Sequence, residues 1–116
     1  MKASRMLLSV LLAGATLLVL RCLPALSTEP DIWMISGPDS VAAGAQGQYN
    51  CLASTPSGGV QLYYQWTCSA GTFADERIQL VTWTAPAAAG TETLSVTARN
   101  DQGQYDTRTR IVFVVP

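Results

Sequence analysis

The stretch that decides the fold is residues 91–115, TETLSVTARNDQGQYDTRTRIVFVV. Its first part alternates apolar residues such as Leu94 and Val96 with polar ones, which is the two-residue period of a half-buried strand. Residues 100–103 then form an Asn-Asp-Gln-Gly turn with glycine where a positive φ is needed. A second strand, Tyr105–Val115, follows the turn. The stretch therefore predicts an antiparallel hairpin.

Four segments upstream of this hairpin have strand character and are separated by Gly, Pro and Ser-rich turns. They are residues 32–36, 48–53, 61–68 and 78–84. No window after residue 30 has a sustained helical period. Six or seven short strands at this spacing predict an all-β protein, an antiparallel β-sandwich of about seven strands.

The N-terminus predicts a signal helix, residues 1–27, that precedes the sandwich. Lys2 and Arg5 make a basic start, and the apolar run of residues 6–20 is shorter than the ~20 residues that cross a bilayer. Small residues before position 28 place cleavage after Ser27, so the product is expected to be secreted, periplasmic or at the cell surface. Residues 28–30 are then a short linker and residues 31–116 the domain.

Two other outcomes stay open for this segment. The apolar run would be a retained membrane anchor if its helix continued past Arg21 and Pro24, although proline disfavours that. Cys22 would be lipidated in a bacterial lipoprotein, but Arg21 stands where that signal requires a small residue.

Composition argues against an enzyme and against several ligand classes. The chain has no histidine, 13% charged residues and a net charge of −1. Histidine-dependent catalysis and most zinc sites are thereby excluded, and no cofactor or metal is expected. Asp101 could supply an oxygen to calcium, but a turn explains its motif without metal. Without a basic run we expect no nucleic-acid binding, and no membrane binding after cleavage.

Several segments resemble bacterial immunoglobulin-like and PKD-like domains of exported surface proteins. They include residues 35–41 (ISGPDSV), Tyr64-Gln65-Trp66 with Gly71 after it, residues 81–86 (VTWTAP), and residues 94–98 (LSVTA). The WDFGDG signature of PKD domains is absent. The resemblance implies an immunoglobulin-like sandwich and a non-catalytic module with a structural, adhesion or recognition role.

The alternation also selects a core and a cysteine pair. The inward-facing residues are expected to be Tyr49, Tyr64, Trp66, Leu94 and Val96. Cys51 and Cys68 share the inward faces of facing strands, and export favours oxidation. We therefore predict a Cys51–Cys68 disulfide, worth roughly 3 kcal/mol in the chain-entropy account. Two free buried thiols are the alternative.

Possible ligand-binding aromatics are Trp33, Tyr63 and Trp83, with packing as the competing interpretation. The partner is expected to be an unknown protein or carbohydrate surface ligand, and a small carbohydrate-binding domain would require two of these rings on one exposed face. Residues 111–115 (IVFVV) are apolar on both faces. They suggest either a buried strand or self-association through the Ile111–Val115 edge, as in a surface filament or assembly. Asp106, Arg108 and Arg110 are expected to form an outward charged stripe.

Overall fold

A computed structural model describes residues 29–55 and 60–116, so the predicted signal segment lies outside the described residues. The described residues form eight strands: β1 Asp31–Ser36, β2 Ser40–Ala42, β3 Gln46–Ser54, β4 Tyr63–Cys68, β5 Thr72–Phe73, β6 Leu80–Thr84, β7 Gly90–Arg99 and β8 Tyr105–Val115. In this part of the chain there is no helix long and apolar enough to cross a membrane.

The strands form two four-stranded sheets packed face to face. The first sheet has the order β1-β3-β6-β5 and the second sheet the order β2-β8-β7-β4. The predicted all-β sandwich is correct, but β2 pairs with β8 in parallel, whereas every other pair is antiparallel. The short strands β2 and β5 were missed because two or three residues cannot display a two-residue period.

The core fills the space between the sheets with large aromatic side chains. The fully buried ones are Trp66 from the second sheet and Tyr49 and Trp83 from the first. Tyr49 and Trp83 meet edge to face with ring centroids 6.3 Å apart, and Trp66 lies 6.0 Å from the ring of Phe73. Such contacts add to area burial in holding the two sheets together.

Three charged side chains of β8 lie on the side of the first sheet, where Asp106 and Arg110 are half-buried and Arg108 stays exposed. The predicted outward stripe is wrong, because Asp106, Arg108 and Arg110 share the face of the buried Val112. The Asp106 carboxylate accepts a hydrogen bond from the Ile32 N–H at 2.7 Å, and Arg108 donates to the Ile32 carbonyl at 3.3 Å. Since β1 is an edge strand, these charged groups supply partners that a neighbouring strand would otherwise provide.

Arg110 makes the most extensive of these contacts. Its guanidinium donates to the carbonyl oxygens of Ile35 at 2.6 Å and Gly37 at 2.7 Å. It also pairs with the Asp39 carboxylate at 2.6 Å and lies 5.7 Å from the centroid of the Tyr49 ring. One side chain thus joins the second sheet to the end of β1 and to the connection that follows it.

The opposite side of the sandwich is closed by the connection between β5 and β6. The backbone N–H of Trp66 donates to the carbonyl of Glu76, and its indole N–H donates to that of Ile78, each at 2.8 Å. Gln79 exchanges hydrogen bonds with the backbone of Cys51, at 3.1 and 2.9 Å. This connection therefore bridges β4 of one sheet and β3 of the other.

Candidate functional site

The described residues hold no recognisable catalytic constellation. No group of three or more His, Cys, Asp or Glu side chains in residues 29–55 and 60–116 could hold a metal ion. Asp75 accepts a hydrogen bond from the backbone N–H of Arg77, which makes it a loop-ordering residue.

The structure separates the three aromatic residues that the sequence put forward as ligand-binding candidates. Trp83 is fully buried, and its indole N–H donates to the Ala70 carbonyl at 3.1 Å, so it belongs to the core. Trp33 is exposed at the β-bulge of β1, whereas Tyr63 is exposed on β4 of the other sheet. These three residues therefore do not provide the two rings on one exposed face that a carbohydrate-binding domain would require of them.

A different pair of tyrosines does share a face. Tyr63 pairs with Arg99 across β4 and β7, and Arg99 pairs with Tyr105 across β7 and β8. All three side chains point outward from the second sheet and are exposed. Neighbouring strands lie about 4.8 Å apart, so the two tyrosines are roughly 10 Å apart on either side of Arg99. We call Tyr63, Arg99 and Tyr105 the tyrosine row.

Tyr63 and Arg99 of the tyrosine row border a groove with a volume of about 300 Å³, whose outward lining includes Gln65 and Thr97. The Tyr63 hydroxyl hydrogen bonds with the Asp101 carboxylate, and this bond raises the pKa of Tyr63. The bond restrains the orientation of the Tyr63 side chain.

The rest of this outward face changes from hydroxyl-bearing to apolar along β8. Its centre has a row of Thr67, Ser95 and Thr109 across three strands. Beyond it, an apolar patch is formed by the exposed side chains of Ile111, Phe113 and Val115.

At Phe113 and Val114 the backbone is not open to pairing with a second chain, because both residues already have partners in β7 and in β2. Phe113 is paired with Thr91 of β7 on one side and with Ser40 of β2 on the other. At these two residues the free surface is therefore the outward face of the sheet.

In place of the predicted disulfide, Cys51 and Cys68 are free thiols. They lie at different levels of the core. The Cys51 thiol lies near Asp106, whose charge raises the pKa of Cys51, and near Tyr64, whose pKa is raised by Cys51. The Cys68 thiol instead donates to the Gly71 carbonyl at 3.5 Å. Tyr64 and Cys68 are four residues apart on β4, which is about 13 Å along the strand. Cys51 and Cys68 therefore both point into the core but lie at different positions along it.

Burial sets the state of the Cys51 thiol. Desolvation and then the nearby Asp106 charge raise the pKa of Cys51 to about 11. A thiol with a raised pKa is a poor nucleophile near neutral pH, because little of it is thiolate. Cys51 therefore behaves as a small core residue.

Of the other predicted core residues, the structure buries Tyr49, Leu94 and Val96 completely, while Tyr64 is half-buried and packs against them. Tyr105 was missed as a surface residue of interest. Its signal was in the sequence, because it has the opposite parity along β8 to Val112 and so points away from the core.

No protein-family model matches the chain, and no curated protein matches it at a significant level. Among solved structures, the chain is similar to a nucleoside hydrolase-related hypothetical protein from Saccharophagus degradans that is associated with carbohydrate metabolism. That match has a TM-score of 0.62 and 15% identity, over 76% of this chain and 26% of that one. The chain thus spans about a quarter of that protein's length.

The chain is also similar to the PKD1 domain of Vibrio anguillarum Epp, with a TM-score of 0.55 and 20% identity, over 78% of this chain and 99% of that domain. This confirms, at the level of the fold, the resemblance to bacterial PKD-like sandwich modules. At such identities the similarity establishes the architecture alone.

Proposed function

We propose that this chain is a non-catalytic recognition module of an exported bacterial protein, and that it contacts its partner through the outward face of the second sheet. One observation carries the proposal. Nine large apolar or aromatic side chains of the described residues are exposed, and five of them belong to this face: Tyr63, Tyr105, Ile111, Phe113 and Val115. Exposed apolar side chains gathered on one face are typical of an interaction surface.

Export is supported by the sequence and is consistent with the fold. A basic start followed by an apolar run and small residues before position 28 is the pattern of a cleaved signal. The two-sheet sandwich matches a bacterial PKD domain over nearly its whole length. Recognition is preferred to catalysis because the described residues carry neither histidine nor lysine and no metal-binding cluster.

A subunit role in a surface assembly is the second candidate, favoured by the apolar patch of Ile111, Phe113 and Val115. Face-to-face contact is favoured for this role, because the backbone of Phe113 at the centre of the patch is already paired on both sides. Light scattering of the exported protein tests this. A dimer or larger species that becomes monomeric with Phe113→Glu would support it, and a monomer at all concentrations would contradict it.

The leading proposal is tested with the full chain expressed in a bacterium. Intact mass of the exported product should correspond to a start at Thr28, whereas full-length protein in the membrane fraction would contradict cleavage. The purified product is then sedimented with isolated bacterial cell envelopes. Thr109→Arg changes the centre of the proposed face, and Gln48→Arg is the matched control on an exposed position of the first sheet.

We expect Thr109→Arg to lower the fraction bound to envelopes and Gln48→Arg to leave it unchanged. A bulky cation in the centre of a contact face prevents close approach, whereas the same change on the opposite sheet does not. Equal binding by the two variants would place the contact elsewhere, and absence of wild-type binding would remove the proposal.

A further inference from the structure

The tyrosine row combines two aromatic surfaces with a guanidinium between them. Tyr63 and Tyr105 are 53% and 67% exposed, which leaves much of each side chain open to a ligand. Tyrosine provides a large, rigid contact surface at low entropic cost. Their separation of roughly 10 Å, two inter-strand spacings, is close to the length of a disaccharide.

Polar but uncharged groups extend from the tyrosine row toward the middle of the sheet. Gln65, Thr97 and Thr107 form the next row across the three strands, and the hydroxyls of Thr97 and Thr107 are 2.9 Å apart. An amide and hydroxyls beside aromatic surfaces suit a ligand that has apolar C–H faces and many hydroxyl groups. Pyranose rings have this combination.

Charge selects among such ligands. Within the described part of the chain, Arg99 is the cation of this face. Asp101 lies at the same end of the sheet and is hydrogen bonded to the Tyr63 hydroxyl. The chain after residue 28 has eight acidic residues and four arginines, a net charge of −4. A polyanion would be repelled by that excess, so an uncharged ligand is favoured. Arg99 and Asp101 then serve as hydrogen-bonding partners for sugar hydroxyls.

We infer that the tyrosine row and the adjoining Gln65–Thr97–Thr107 row form a binding site for a neutral polysaccharide. Tyr63 and Tyr105 stack on two of its rings while Arg99 hydrogen bonds to hydroxyls between them. The inference rests on the proposed function, since it names the ligand of that same face.

Isothermal titration calorimetry of the exported product tests the inference. The neutral probes are cellohexaose, laminarihexaose and chitohexaose, the charged probe is an oligogalacturonate of similar length, and a proline-rich peptide represents a protein ligand. Tyr63→Ala and Tyr105→Ala remove the stacking surfaces. Trp33→Ala is the matched control, because it removes an exposed aromatic from the other sheet.

We expect at least one neutral oligosaccharide to bind, and each tyrosine variant to weaken it roughly tenfold or more, the loss typical of truncating an aromatic hot spot. Trp33→Ala should bind like the wild type. Because all three side chains are exposed, circular dichroism should show the same fold in each variant.

Three results would overturn the inference. They are no binding of any neutral oligosaccharide, unchanged binding by both tyrosine variants, and preferential binding of the oligogalacturonate or of the peptide. If Thr109→Arg weakens envelope binding while no sugar binds, the proposed recognition function stands and the ligand class named here is wrong.

Discussion

Replacing Arg110 by methionine would remove the guanidinium that joins the two sheets while keeping most of the aliphatic stem. The lost contacts are two hydrogen bonds to the carbonyls of Ile35 and Gly37, at 2.6 and 2.7 Å, the ion pair with Asp39 and the approach to the Tyr49 ring. The Asp39 side chain is 94% exposed, so that pair contributes little. Charge-assisted hydrogen bonds contribute about 1.5–3 kcal/mol each.

The two carbonyls would gain water after the change, which recovers part of this energy. We therefore expect Arg110→Met to lower the free energy of unfolding by about 2–4 kcal/mol. Urea unfolding followed by tryptophan fluorescence measures the change. Asp39→Asn should cost less than about 1 kcal/mol. The matched control, Arg99→Met on the exposed outward face, should cost about 0.5 kcal/mol or less.

Two results would refute this account of Arg110. If Arg110→Met costs no more than Arg99→Met, the contacts to the carbonyls do not stabilise the fold. If Asp39→Asn costs as much as Arg110→Met, the surface ion pair, and not the backbone contacts, holds β1. Native-state hydrogen exchange adds a local readout, because the β1 amides should lose protection in Arg110→Met first.

Three further predictions concern the core. Trp66→Ala should cost about 3–5 kcal/mol and the exposed Trp33→Ala about 0.5 kcal/mol in the same urea assay; equal losses would contradict the inward position of Trp66. Gly71 has φ +85°, and a Cβ there would collide with the Thr84 carbonyl oxygen, whereas Gly103 has φ +80° and open space around it. Gly71→Ala should therefore lower the stability more than Gly103→Ala, and calorimetry should find the lower Tm for Gly71→Ala. Because the pKa of Cys51 is raised from 9.0 to about 11 in the folded protein, its contribution to stability should be complete below pH 9 and fall as pH rises toward 11; a Cys51→Ala variant should lack this part of the pH dependence.

Much of the fold could be predicted because the long strands have a clear period. β7 and β8 differ from the predicted strands by at most one residue. The ends of β3, β4 and β6 were less accurate, by one or two residues, since strand boundaries depend on tertiary pairing. Burial of Trp66 between polar neighbours on β4 also follows from alternation alone.

The candidate site was less predictable, because it depends on which strands are neighbours. Alternation assigns Tyr63 and Tyr105 to one face or the other of their own strands, but their alignment with Arg99 requires the register of β4, β7 and β8. The predicted disulfide between Cys51 and Cys68 was wrong for the same reason. Alternation correctly assigned Cys51 and Cys68 to the inward faces of their strands. How far apart the two thiols lie along the core depends on how the two sheets are placed against each other, which alternation does not specify.

The mistaken direction of Arg110 shows how one strand can serve two purposes. A charged residue on an alternating strand is normally assigned to the solvent side, yet an edge strand in the facing sheet has backbone groups that need partners. On β8 the inward-facing Arg110 donates hydrogen bonds to these backbone groups, and the next inward-facing residue, Val112, is an apolar core residue. The outward residues of the same strand are therefore free to carry Tyr105 and Phe113. A one-residue shift of β8 would place the guanidinium outside and the tyrosine inside, so the contacts that hold β1 also fix the face that the strand displays.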